Sequence, residues 1–178
     1  MKDFIYTFFA DYRTQIVFLH VISAVIWVGG MIAMRYASHQ SLQMIEDAPL
    51  KLRRTAHALK RLFSIVAPFI VILIITAVLM AVGLGFRAAA LDVDGNVVDK
   101  LAMHIYNLVH VKESIWMIMT LNFIAMVLKR NKAQKLLDAN DFSGAKAQLS
   151  LIGTYMVPIN IILGIIAIYL GVTLRNAY

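Results

Sequence analysis

Residues 62–86 read LFSIVAPFIVILIITAVLMAVGLGF, 25 positions from Leu62 to Phe86 without a charged side chain. As a helix this stretch rises about 37 Å, more than the ~30 Å hydrocarbon core of a bilayer. A surface helix of a soluble domain keeps one polar face, and this run has none. It predicts a transmembrane helix, and three further segments follow the same reading. Ile16–Met34 and Leu149–Leu174 are uncharged, and His104–Leu128 is the exception because it contains His110, Lys112 and Glu113. Spans at about 16–34, 62–86, 104–128 and 149–174 predict one domain over 1–178, an all-α integral membrane four-helix bundle.

Composition agrees with this. Hydrophobic residues make up 61% of the 178 positions, charged ones 15%, and mean hydropathy is +0.75, which excludes an ordinary soluble domain. With no cysteine, disulfides, thiolate metal sites and Cys nucleophiles are excluded. Asp11 and Arg13 break the apolar stretch Phe4–Ala10, and the run that follows is too long for a signal-peptide core, so the first span is expected to stay in the mature protein.

The net charge of +7 does not form a separate basic face for nucleic acid. Its residues border the apolar runs. Eleven Lys and Arg lie in the two connections between the first and second and the third and fourth spans, against five at the other ends. The positive-inside rule then places both basic connections in the cytoplasm and both termini on the periplasmic side of a bacterial inner membrane. The external connection Leu91–Lys100 is acidic, and its Asp92-Val-Asp94-Gly95-Asn96 piece lacks the rest of a calcium loop. Ser41–Lys60 is expected to prolong the second helix inward from near Pro49, and Asn131–Gln148, with its Asp-Ala-Asn-Asp cluster, to form a helix-turn-helix lid.

Ionisable residues inside a span are costly and mark function. His20 lies fifteen residues before Arg35 and His110 nineteen before Lys129, about 22 and 28 Å from the basic end. Two imidazoles from different helices at similar depth suit the two axial positions of haem b. Ser23, Ala24, Trp27, Gly30, Met31 and Met34 share the His20 stripe, offering small residues and one aromatic ring to a flat macrocycle. The same residues also read as ordinary helix packing, and each histidine as a cross-helix hydrogen bond. Lys112 either snorkels to the outer interface or pairs with Glu113, which otherwise orients the His110 imidazole or carries a proton. His39 and His57 read as solvated residues of the inner loop, with an anion site near Arg35, Arg53 and Arg54 as the other reading.

The segment Phe18-Leu-His20-Val-Ile-Ser-Ala-Val-Ile-Trp27-Val-Gly29-Gly30-Met31 resembles the first helix of the HemJ-type protoporphyrinogen oxidases and of the related CopD-like copper-resistance membrane domains. The similarity continues at Arg61-Leu62 and Pro68, at His110-Val111-Lys112, and at Pro158. It implies haem b bound through His20, and an oxidoreductase that takes electrons from a tetrapyrrole precursor and passes them to quinone or a membrane cytochrome. On that resemblance His110, Lys112 and Arg35 become candidates for ligation, proton handling and carboxylate binding. Two other classes stay open. One is copper handling, suggested by the CopD-like helix and ten methionines. The other is a non-catalytic subunit or assembly factor using Gly164, Ala167 and Gly171 as a contact stripe, and a homo-oligomer is a separate expectation.

Overall fold

The computed structural model describes residues 2–175, and the two chain ends beyond them lie outside the description. It contains four helical spans, Phe4–Gln43, Ala48–Ala90, Lys100–Asp138 and Phe142–Arg175, each long and apolar enough to cross a membrane. About 90% of the protein is helical and no strand is present among the described residues, so the expected all-α four-helix architecture holds. In finer divisions the elements are α1 (Lys2–Ala33), α2 (His39–Gln43), α3 (Ala48–Gly83), α4 (Phe86–Ala90), α5 (Lys100–Asp138), α6 (Phe142–Leu151) and α7 (Val157–Arg175). The four long spans pack as an antiparallel ring. Each touches its sequence neighbours, and α7 closes the ring on α1.

The outward faces are apolar. Val21, Val25, Ile65, Val71, Ile75, Ile118, Leu121, Ile124, Ile162 and Ile165 are all exposed. Such continuous apolar surface is incompatible with water and suits lipid. The tightest packing runs from mid-bundle to the basic end, where Trp27, Met31, Phe63, Phe123, Met126, Leu137 and Ala145 belong to one cluster. Phe123 packs edge-to-face with both Trp27 and Phe63, with ring centroids 6.4 and 5.2 Å away.

Element ends follow local chemistry. Asp47 caps α3 by accepting from the Leu50 amide at 2.8 Å, with Pro49 in the first turn as expected. α3 ends at Gly83, and Gly85 adopts φ 67°, a left-handed turn that glycine takes without strain. Asn140 takes the same region at φ 61°, and Asp141 then caps α6 through the Gly144 amide at 2.8 Å. The Asp-Ala-Asn-Asp cluster thus forms the turn of the expected helix-turn-helix. In the acidic loop, Asp92 accepts from the Asn96 side chain and from the amides of Asn96 and Asp94 at 2.8–3.0 Å. The Asn96 side-chain amide first, then its backbone amide, hold the Asp92 carboxyl below the usual carboxylate range. Its oxygens serve the turn itself.

The first helix begins well before the expected span. It is helical from Lys2, with a kink at Tyr12 (φ −116°, ψ 23°). Phe9 lies on the end of α3, where a Cβ on Gly83 would overlap its ring. This contact holds the N-terminal turns against the bundle despite Asp11 and Arg13.

Two π-helical turns interrupt the helices at the basic end, Met34–Ser38 after α1 and Ile152–Met156 before α7. Pro158 follows the second and lacks the N–H that a regular helix would direct back to Thr154. Asn122 Nδ2 donates to the Met156 carbonyl at 2.8 Å and to Asn160 Oδ1 at 2.8 Å, while Asn160 Nδ2 donates to the Met119 carbonyl at 3.2 Å. In lipid these carbonyls and amides have no water to turn to. Asn160→Leu removes one of the two acceptors of Asn122 Nδ2 and leaves the Met156 carbonyl as the other, so it is expected to cost about 1 kcal/mol, the scale of polar contacts between membrane helices. A denaturant titration of the detergent-solubilised protein measures this, and an unchanged midpoint would mean the pair contributes nothing net.

Candidate functional site

At the acidic-loop end, three of the long helices bring polar side chains into the interior, and the fourth meets one of them with a glycine. His20 comes from α1. Its Nδ1 lies 2.9 Å from Oγ1 of Thr76 on α3. The Thr76 hydroxyl has one proton, already directed to the backbone carbonyls of Ile72 at 2.8 Å and Leu73 at 3.0 Å. It therefore accepts from His20, which assigns the imidazole proton to Nδ1 and leaves a lone pair on Nε2. An imidazole anchored in this way at one nitrogen is set up to ligate through the other.

Lys112 enters from α5. It is partly buried and forms no ion pair among the described residues. A Cβ on Gly171 of α7 would lie 2.9 Å from Lys112 Nζ, so the absent side chain is what admits the ammonium. One and two turns further along the same stripe of α5, Trp116 Nε1 and Thr120 Oγ1 are buried without a hydrogen-bond partner, as is Trp27 Nε1 on α1. Buried polar atoms are nearly always satisfied, so each of these three is an exception to ordinary packing.

Several expected placements need correction. His110 does not oppose His20 across the interior. Its side chain is 52% exposed on the outer face of α5, where Nδ1–H donates to Glu113 Oε2 at 2.9 Å and the ring stacks edge-on to Tyr106 at 4.5 Å. The reason is the helical turn: Lys112 lies 200° round the helix from His110, so when one points inward the other points out. Glu113 accordingly bonds to His110, one of the expected alternatives, and does not pair with Lys112. Lys112 reaches the interior rather than the outer interface. Trp27, Gly30 and Met31 do not line an open slot either. Trp27 and Met31 are buried to 1% and 0% exposure, and a Cβ on Gly30 would press Leu62 at 3.0 Å. Gly164 and Gly171 face inward onto Val28, Met119 and Lys112, so these two glycines serve packing within this bundle.

Among the described residues His20 is the one interior imidazole that haem b would take as a ligand, and His110 does not join it. No three His, Cys, Asp or Glu gather as metal ligands among the described residues. Met31, Met34, Met119 and Met126 are buried in the common core as gap-filling side chains.

Arg35 lies elsewhere. With His39 it lines a cavity of about 430 Å³ at the basic end, some 22 Å from His20 along α1. His57 is exposed and outside that cavity. The residues that sequence reading missed are Thr76, Asn122, Asn160 and Arg130. Arg130 donates from Nε to the Ala56 carbonyl at 3.0 Å, and Arg53 to the Leu137 carbonyl at 3.0 Å, fastening the basic-end extensions of α3 and α5. Thr76 had a usable signal: it lies fifteen residues after Arg61 as His20 lies fifteen before Arg35, hence at equal depth. No protein-family model, no curated protein and no solved structure matches this chain.

Proposed function

We propose that the chain is a multi-pass protein of a bacterial inner membrane that holds haem b through His20 and works as an oxidoreductase. On this reading it passes electrons from a reduced donor, a porphyrinogen by the resemblance of its first and third helices, to a quinone or membrane cytochrome. The observation that carries the reading is the interior imidazole of His20, held by Thr76 with Nδ1 2.9 Å from its Oγ1. When bound there, haem supplies one-electron chemistry to the bundle. Thr76 orients the ligand, and Lys112 Nζ can hold or release a proton in the same space. Glu113 positions His110. Arg35, at the far end, takes no part in this site.

The basic connections support an orientation with both termini outside. The His110–Glu113 pair on the outer face of α5 supports a homo-oligomer, since polar groups within a span are costly against lipid.

The visible spectrum of the purified protein tests the reading. A Soret band that sharpens and shifts on dithionite, with iron and haem in a fixed ratio to protein, is expected. Copper without haem would replace the proposal with the copper-handling class, and absence of both would leave a subunit or assembly role.

A further inference from the structure

The cavity at the basic end combines features the haem reading does not use. It lies where α1 passes into α2, where α3 begins, and where α6 passes into α7. Both π-helical turns contribute to its wall, Met34 and Arg35 from the first, Gly153 and Thr154 from the second. Such turns recur at functional sites because they widen the helix and re-aim side chains.

Arg35, Lys51 and Lys146 face this space with His39 beside them, and no Asp or Glu lines it. The ion pairs among the described residues, Arg53–Asp138 and His110–Glu113, lie elsewhere. Three cations around about 430 Å³ without a counter-charge repel one another unless an anion sits between them. The volume exceeds what a single small ion needs. The inner wall is apolar, with Met34, Leu149 and Val157 exposed by 8%, 6% and 2%.

Depth decides the kind of anion. Tyr36 and Tyr155, one in each π-helical turn, are 63% and 61% exposed. Outward tyrosines at the end of a span mark the headgroup level of the bilayer. Basic pockets between helices at that level suit lipid heads with more than one charge.

We infer that the cavity lined by Arg35, Lys51 and Lys146 binds the polyanionic head of a membrane amphiphile, bearing two or more phosphates or carboxylates. The head sits between the cations and the first methylenes lie on Met34, Leu149 and Val157. The inference is independent of haem at His20.

The test uses the full chain in detergent with a fluorescent diphosphatidylglycerol, and phosphatidylcholine as the uncharged reference. Arg35→Gln/Lys146→Gln is expected to weaken diphosphatidylglycerol binding at least about tenfold. Lys60→Gln/Arg61→Gln removes equal charge from exposed positions outside the cavity and should change binding by less than about twofold. Gly153→Phe gives a second route that keeps every charge: a Cβ there meets nothing within 4 Å, so the ring enters the cavity and should block the lipid. Circular dichroism and a monodisperse elution profile confirm folding of each variant. Inorganic pyrophosphate that displaces the lipid would support the site and identify a soluble polyanion as a ligand, whereas failure to displace it assigns the site to lipid. Equal losses in the two double variants, or wild-type binding in both Arg35→Gln/Lys146→Gln and Gly153→Phe, would overturn the inference.

Discussion

His20→Ala is expected to strip the purified protein of haem, at least about a tenfold fall in haem per chain, while His110→Ala retains it. The two histidines look alike in sequence, but only His20 offers a nitrogen to the interior, because Thr76 holds its other nitrogen at 2.9 Å. His110 is spent on Glu113 at the outer face. Thr76→Val keeps the ligand but frees its ring, so haem should remain with a lowered affinity, by about 10–100-fold as for other supporting partners, and a shifted midpoint potential. A reduced-minus-oxidised spectrum with a haem assay on each variant decides the matter. Full haem content with an unchanged spectrum in His20→Ala would remove His20 as a ligand. Loss of haem in His110→Ala alone would place the cofactor on the outer face of α5.

Gly164→Ala is expected to destabilise the bundle by about 1–3 kcal/mol, an unusual cost for adding one methyl group. The new Cβ would lie 2.5 Å from Val28 Cγ2 and 3.3 Å from Cγ1, with Met119 Cε at 3.4 Å. Val28 is β-branched and has no alternative rotamer of low energy in a helix, so α1 and α7 must separate. Small residues at crossing points let membrane helices approach, and dispersion contacts are lost along both helices when they part. Val28→Ala in the same chain removes the obstruction and should recover much of the loss, a coupling that a double-mutant cycle measures. Gly29→Ala, where a Cβ meets nothing within 4 Å, should be neutral or slightly stabilising through helix propensity. Equal thermal midpoints for Gly164→Ala and Gly29→Ala would show that the close approach of α1 and α7 carries no special energy.

The four spans, their antiparallel succession, the Pro49 start and the Asp138–Asp141 turn were legible because each depends on neighbours in sequence. A run such as residues 62–86 has one viable state in lipid, the helix that satisfies its own backbone, whatever surrounds it. Cost in lipid likewise singled out His20, Lys112 and the His110–Glu113 pair. What residue spacing left open was azimuth. His110 and Lys112 are two positions apart, so either can face inward, and local chemistry ranks neither. The choice came from α7, where Gly171 leaves room for the Lys112 ammonium and Gly164 seats Val28 and Met119. The same holds for the stripe Trp27–Gly30–Met31, whose composition suits a macrocycle or a close-packed seam, and which Phe63, Phe123 and Leu62 fill. The alternative reading of an anion site near Arg35, Arg53 and Arg54 had the wrong partners, since the cavity joins Arg35 to Lys51 and Lys146, which are up to 111 positions apart and meet only after three helices assemble. Hydrophobic length alone determined that this chain crosses a membrane four times; side-chain volume at the helix crossings decided which of its polar groups meet inside, because a rotation of each helix about its axis costs nothing until neighbours pack against it.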